Sequence, residues 1–226
     1  KFMDKKAVSL EDVKKNPQIL EFIKQTEMAM KALQYTNHGL RHSNVVSGRA
    51  IEIAEAIGLD KRTAEHSAIA GFCHDMGNFM TRSLHHHFGA LLFSQVFMSE
   101  FEPHELAMIM QAIANHDKYE MNFVNNTSAV LVLADKSDVE RSRVTSDDMN
   151  YIKGDIHNRV NYATEKSDVD IDTAKKRINL ILTIDTKFCP VIEYFEIFTD
   201  RMVFCRQAAK FLGYEFGLII NDFQIA

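Results

Sequence analysis

Tryptophan is absent, and only three prolines and nine glycines interrupt a chain of 226 residues. So few breakers argue against a many-turned β-sandwich, while plentiful Ala, Leu, Ile, Met, Glu and Lys favour long helices. Cysteine is scarce too: Cys73, Cys189 and Cys205 are odd in number, widely spaced and form no C-x-x-C pair. This excludes a disulfide framework and makes a reducing cytoplasm the expected setting. No run of about 18 apolar residues is present to span a bilayer, and residues 1–6 lead into no signal-peptide stretch. A membrane is therefore not expected as a partner. Nor is positive charge in excess: a formal net charge of −5 gives no broad cationic surface for nucleic acid. A small anionic substrate would need a local cation, which bound metal supplies.

What is present is a 46% hydrophobic content, enough for a packed core, and clear helical periodicity. Over residues 9–33, Val13, Ile19, Leu20, Ile23 and Met30 sit among charges with Pro17 suited to a first turn, which predicts one helical lead-in. A second helix is expected over 40–57, stopped at Gly58, and a third from Asp60 as N-cap. The third carries the stripe Ile69, Phe72, Cys73 and Met76, with His74 and Asp75 inside the helix. After Pro103, Leu106, Ile109, Met110 and Ile113 lead along one face to His116, and from Ser128, Leu131 leads to Asp135 and Asp138. Beyond about residue 143 the period changes. Val169 and Ile171, then Ile178, Leu180, Leu182 and Ile184, alternate about a polar turn over 173–177 and predict a hairpin, followed by a helix over 191–212 and a strand over 216–220. The expected fold is mainly α, a helical bundle with a small α+β C-terminal lobe. Its expected divisions are a lead-in over 1–37, a metal-binding helical domain over 38–150 and the lobe over 151–226.

His42, His74, Asp75, His85, His116 and Asp135 are inward candidates on at least four predicted helices, and one bundle interior can gather them. Imidazole and carboxylate hold divalent metals, and several histidines facing one water-poor pocket without a cation would be hard to satisfy. The three cysteines are read as core residues. His38 is read as a surface residue at a helix entrance. Asp138 and Asp117 are divided between orienting a ligand and lying on a helix surface.

The pattern of His42 in RHSNVV, His74-Asp75 in GFCHDMGN and Asp135 in LVLADKSD resembles the HD superfamily of metal-dependent phosphohydrolases. His85, four residues before Gly89-Ala90, and His116 in AIANHD resemble the extra ligands of its dinuclear, five-histidine-type branch. DVERSRV and DIHNRVNYA resemble a group of bacterial HD proteins with no assigned reaction. The motif-level likeness spans residues 38–143. It implies an HD-domain bundle in which His42, His74, Asp75 and Asp135 hold one divalent ion and Asp75 bridges to a second held by His85 and His116. Iron and manganese are the first candidates, with zinc, magnesium and nickel behind them. It also implies hydrolysis by a metal-activated water. In the run of histidines at 85–87 the offset to Gly89 selects His85 as ligand, leaving His86 to touch substrate and His87 to face solvent. Lys136, Arg141 and Arg143 follow the metal aspartate and are candidates to grip phosphate, against the alternative of a solvated face paired with Asp138 and Glu140. His157 and Arg159 are weaker candidates in a lid.

The first expectation is therefore a phosphohydrolase acting on a small phosphorylated substrate such as a nucleotide. H-x-x-x-G-A resembles the bacterial diadenosine tetraphosphate hydrolases most, although their chains usually lack such a C-terminal lobe. Cyclic di-GMP cleavage is less expected, because DKYEMNF follows His116 where that group carries Gly-Tyr-Pro. The rivals are a di-iron oxygenase of the same superfamily and a non-catalytic module that binds metal or nucleotide. A homodimer is left open.

Overall fold

The lead-in is two helices, not one: α1 (Leu10–Lys15) and α2 (Pro17–Ala32). Ser9 and Asp12 form a capping box on α1, and the Asn16 side chain caps α2 by accepting from the Gln18 and Ile19 amides. Pro17 takes the first helical position, where a missing N–H costs nothing. The computed structural model describes residues 7–117 and 122–226, so residues 1–6 and most of the DKYE stretch named above lie outside it.

Next come α3 (Leu40–Ala56) and α4 (Lys61–Cys73), separated by Gly58 at φ +80. Asp60 caps α4 through the amides of Arg62 and Thr63. α4 stops earlier than its apolar stripe predicts. His74 is its C-cap and Asp75 lies in the turns that follow, although Met76 is still buried. The cause is tertiary: α5 (His85–Phe97) folds back so tightly that a Cβ on Gly77 would lie 2.1 Å from the His85 carbonyl oxygen. A Cβ on Gly89 would lie 3.1 Å from the His74 carbonyl oxygen. Both positions are glycine because backbone meets backbone there.

α6 (Pro103–Asn115) buries Leu106, Ile109 and Ile113, with Met110 only partly covered. α7 (Asn126–Lys136) is buried from Thr127 to Lys136, as befits a helix apolar on every side. It is the centre of the bundle, packed by α3, α4, α6 and α10.

After a short 3-10 turn (Arg141–Arg143) come α8 (Met149–Gly154) and α9 (Ile156–Ala163). The expected hairpin is β1 (Thr164–Asp172) with β2 (Arg177–Ile184), antiparallel, with Val169 opposite Leu180. α10 (Val191–Phe211) then crosses to β3 (Glu215–Ile220), which runs parallel to β2. A two-residue β4 (Phe223–Gln224), unforeseen in the sequence, returns antiparallel after Asn221 and Asp222, both at positive φ. The architecture is thus mainly helical with a four-stranded mixed sheet of order β1-β2-β3-β4.

Cys205, Ala208 and Ala209 of α10 and Ile178 of β2 join the bundle's own apolar core. A second cluster around Leu180, Leu182, Tyr194, Phe198 and Leu218 lies beneath the sheet. Arg49 of α3 fastens the two by donating to the Ser137 hydroxyl at 3.1 Å and to the Ser167 carbonyl. The cysteines are free and buried, with Cys73 and Cys205 in the bundle core and Cys189 in the second cluster. Among the described residues, no helix is long and apolar enough to cross a membrane.

Candidate metal centre

Helix ends, not helix middles, deliver the polar cluster. His42 stands in the first turn of α3, His74 and Asp75 just past α4, His85 opens α5, His116 caps α6, and Asp135 lies in the last turn of α7. None of the six is more than 8% exposed. Asp75 faces two ways. Its Oδ2 lies 3.4 Å from His42 Nε2 and 3.3 Å from His74 Nε2, while its Oδ1 lies 3.3 Å from His85 Nε2 and 3.7 Å from His116 Nε2. Asp135 Oδ1 closes the first group, 3.3 Å from His42 Nε2 and 3.6 Å from His74 Nε2.

The other ring nitrogens determine what these atoms can do. The Nδ1 atoms of His74, His85 and His116 meet the carbonyl oxygens of Gly71, Arg82 and Ile113 at 2.8, 2.7 and 2.7 Å. A carbonyl only accepts, so each Nδ1 must donate, and each Nε2 of a neutral ring is then a lone pair. Those lone pairs point at one another: His42 and His74 approach Nε2 to Nε2 at 3.2 Å, and so do His85 and His116. Buried acceptors at that distance, beside two carboxylates, repel unless a cation lies among them. The donor set therefore fits a divalent metal, and the overlapping triads His42/His74/Asp75, His74/His116/Asp135 and Asp75/His85/His116 each bring ligand atoms within 4.8 Å, room for one ion or two.

Without a metal, protons must supply the positive charge, and the cluster shares them unevenly. Burial opposes charge on His74, but Asp75 and Asp135 outweigh it and raise its pKa to about 10. His116 goes the other way: burial, aided by the charges of His74 and His85, pushes it down to about 4. Burial opposes ionisation of Asp75 and Asp135 as well, yet His74 and His38 hold Asp75, and Lys136 with His42 and His74 hold Asp135, well below the carboxylate range.

Asp138 resolves one division left by the sequence. It is fully buried and accepts from His42 Nδ1 at 2.6 Å and from Arg41 at 2.5 Å, so it aims the His42 ring into the cluster. Asp138→Ala is expected to weaken metal binding by about 10- to 100-fold while the fold survives, measured by metal titration beside circular dichroism. Unchanged affinity would remove that role.

The basic candidates separate. Lys136, 5% exposed, holds Asp135 at 2.9 Å and Asp117 at 3.3 Å. Arg143 is equally buried and donates to the carbonyls of Asp138 and Asn37, at 3.0 and 2.9 Å. Both line the pocket that Asp75, His85, His116 and Asp135 also line. Arg141 does not: it is exposed, donates to the Tyr162 carbonyl and lies over that ring, 4.6 Å from its centroid. His86 is buried beside His85 but does not line the pocket, and its Nδ1 has no partner among the described residues; burial and the charges of His116 and His85 lower its pKa to about 4. His87 is exposed. Arg159 is engaged by Glu193 at 2.6 Å, and His157 lies on the wall of a neighbouring cavity.

His38 is not the surface residue its position suggested. It is buried, its Nδ1 donates to the Thr36 carbonyl, and its ring stands edge-on to His42 at 5.8 Å. Two arginines of the site were missed altogether, Arg82 and Arg201, which line this pocket and two neighbouring cavities as well. For Arg82 a local signal existed, three residues ahead of His85. Arg201 has none, since only the packing of α10 brings it near. The cavity it shares with His38 and Arg143 measures about 300 Å³ and is walled by Tyr35, Tyr151, Phe198, Asn158 and Asn161.

No family model matches the chain, and no curated protein does. The site is therefore characterised by its own geometry, a buried His/Asp cluster able to bind metal.

Proposed function

We propose that the protein is a metal-dependent phosphohydrolase acting on a small phosphorylated compound of the nucleotide type. One observation carries this: the converging Nε2 lone pairs meet at the two-faced Asp75, which lines one pocket together with His85, His116, Asp135 and the cations Arg82, Lys136, Arg143 and Arg201. Metal ligands beside several cations suit an anion that must be both bound and activated. His42, His74, Asp75 and Asp135 would hold one ion, and Asp75, His85 and His116 a second. Once bound, such ions acidify water and offset charge on phosphoryl oxygens. The protein's own groups do the rest. Asp138 and the backbone carbonyls of Gly71, Arg82 and Ile113 fix the imidazole tautomers, Lys136 holds Asp135 in place, and the arginines meet phosphate oxygens. The aromatic rings and the Asn158 and Asn161 amides of the neighbouring cavity suit a flat, polar ring such as a nucleobase.

The test is an assay of the iron- or manganese-loaded protein against a nucleotide panel, following phosphate release and oxygen uptake together. Phosphate release that stops on chelation is expected. Oxygen consumption without phosphate release would instead favour a di-iron oxygenase.

A further inference from the structure

We infer that Arg201, carried on α10 from the C-terminal part of the chain, is a specificity-determining phosphate contact of this site. The inference rests on the phosphohydrolase proposal. Among the described residues, Arg82 and Arg201 alone line the metal pocket and both neighbouring cavities, of about 300 and 600 Å³. A substrate entering from either cavity passes these two.

The four cations of the rim differ in what occupies them. Lys136 is held by Asp135 and Asp117, and Arg143 by the carbonyls of Asp138 and Asn37. Arg82 donates to Asn78 Oδ1 at 2.9 Å and lies 3.9 Å from Asp117. Arg201 has no hydrogen-bond partner and no carboxylate within 4.0 Å among the described residues. Its guanidinium lies over the Phe198 ring, 4.4 Å from the centroid. A cation held over a ring spends none of its N–H groups on a hydrogen-bond acceptor, so they stay available for bidentate capture of a phosphate.

Charge points the same way. Arg82, Lys136, Arg143 and Arg201 line the metal pocket against Asp75, Asp117 and Asp135, so cations outnumber carboxylates even before metal is counted. Arg201 also acts unfavourably on the charges of Lys136 and Arg143. A cation placed among cations, with its donors unused, is stabilised when an anion arrives. α10 thereby completes the pocket with a side chain that the helices carrying the metal ligands do not supply.

The test compares wild type with Arg201→Ala, Arg201→Lys and, as a control, Arg206→Ala, an exposed arginine of the same helix that does not line these cavities. Inorganic phosphate is titrated calorimetrically into manganese-loaded and into chelated protein, with metal content measured by elemental analysis. Arg201→Ala should bind phosphate about tenfold more weakly at unchanged metal content, Arg201→Lys should recover part of that affinity, and Arg206→Ala should match wild type. On any nucleotide the wild type hydrolyses, the Ala variant should raise KM more than it lowers kcat. Wild-type phosphate affinity in both Arg201 variants at full metal content would overturn the inference and leave the metal proposal standing. Should Arg201→Ala also lose metal, Arg201→Lys decides, weaker phosphate binding at full metal content supporting the inference and unchanged binding overturning it. A wild type that takes up no metal would sink the hydrolase proposal, while the chelated titrations still report on Arg201.

Discussion

Asp75→Asn is expected to empty the site of most of its metal and to lower phosphate release by roughly 10³-fold or more, with helical content unchanged. Among the described residues, Asp75 is the one carboxylate whose two oxygens serve the two imidazole pairs, Oδ2 towards His42 and His74, Oδ1 towards His85 and His116. The amide keeps the shape but loses the negative charge, and one of its two positions becomes an N–H donor able to satisfy an Nε2 lone pair. The fold is thereby retained while the reason to bind a cation is removed. Loss of metal assistance is worth several kcal/mol of barrier, and each 1.36 kcal/mol is tenfold in rate. His116→Ala should do less to metal content, because Asp75 keeps both its oxygens and His42, His74, His85 and Asp135 remain, yet it should also end turnover if both halves act together. Elemental analysis, circular dichroism and phosphate release on the same samples decide. Intact turnover in both variants would place the chemistry elsewhere.

His74, Asp75, His116 and Asp135 were legible because each interrupts, or directly follows, an apolar stripe, whereas His42 and His85 were legible only from the motifs around them. His116 continues the face of Leu106, Ile109 and Ile113, and Asp135 follows Leu131 on a helix buried from Thr127 to Lys136. The end of α4 was not legible, since Met76 keeps the helical period although the chain has already turned. What stops the helix is the contact of Gly77 with the backbone of α5, a fact about two segments and not about one. The same limit separates Lys136 and Arg143 from Arg141. All three are basic and follow Asp135 closely, but only the first two are buried, because Asp117 and Asn37 approach them from other parts of the chain. Arg201 lies furthest beyond local pattern: it reaches the pocket because α10 crosses between two parallel strands and packs on α7.

Removing metal is expected to leave a protein whose stability peaks near pH 6.5 and falls on both sides, and restoring it to flatten the alkaline side while the acid side stays steep. On the alkaline side His74 governs. Its pKa is raised from 6.5 to about 10 in the folded chain, so its contribution is complete below about pH 6.5 and is lost as pH rises towards 10, where the unfolded chain has released a proton that the folded one still holds. On the acid side His38, whose pKa burial holds well below 6.5, acts together with His116 and His86. The latter two are lowered from 6.5 to about 4, so their contribution is present above about pH 6.5 and lost as pH falls towards 4, where the unfolded chain takes up protons that the folded one refuses. A bound divalent ion does the work of the His74 proton, which removes the cause of the alkaline flank; on the acid side it keeps His116 neutral and adds His74 to the imidazoles that only the unfolded chain protonates, so that flank persists and steepens. Binding to the folded state alone adds about 4 kcal/mol at a thousandfold excess over the dissociation constant. For a chain of this size that is a rise in Tm on the order of 10 °C. Thermal melts between pH 4.5 and 9, with chelator and with manganese, measure both effects. Coincident curves across that range would mean that protons, and not a metal, are the cations this cluster was built around.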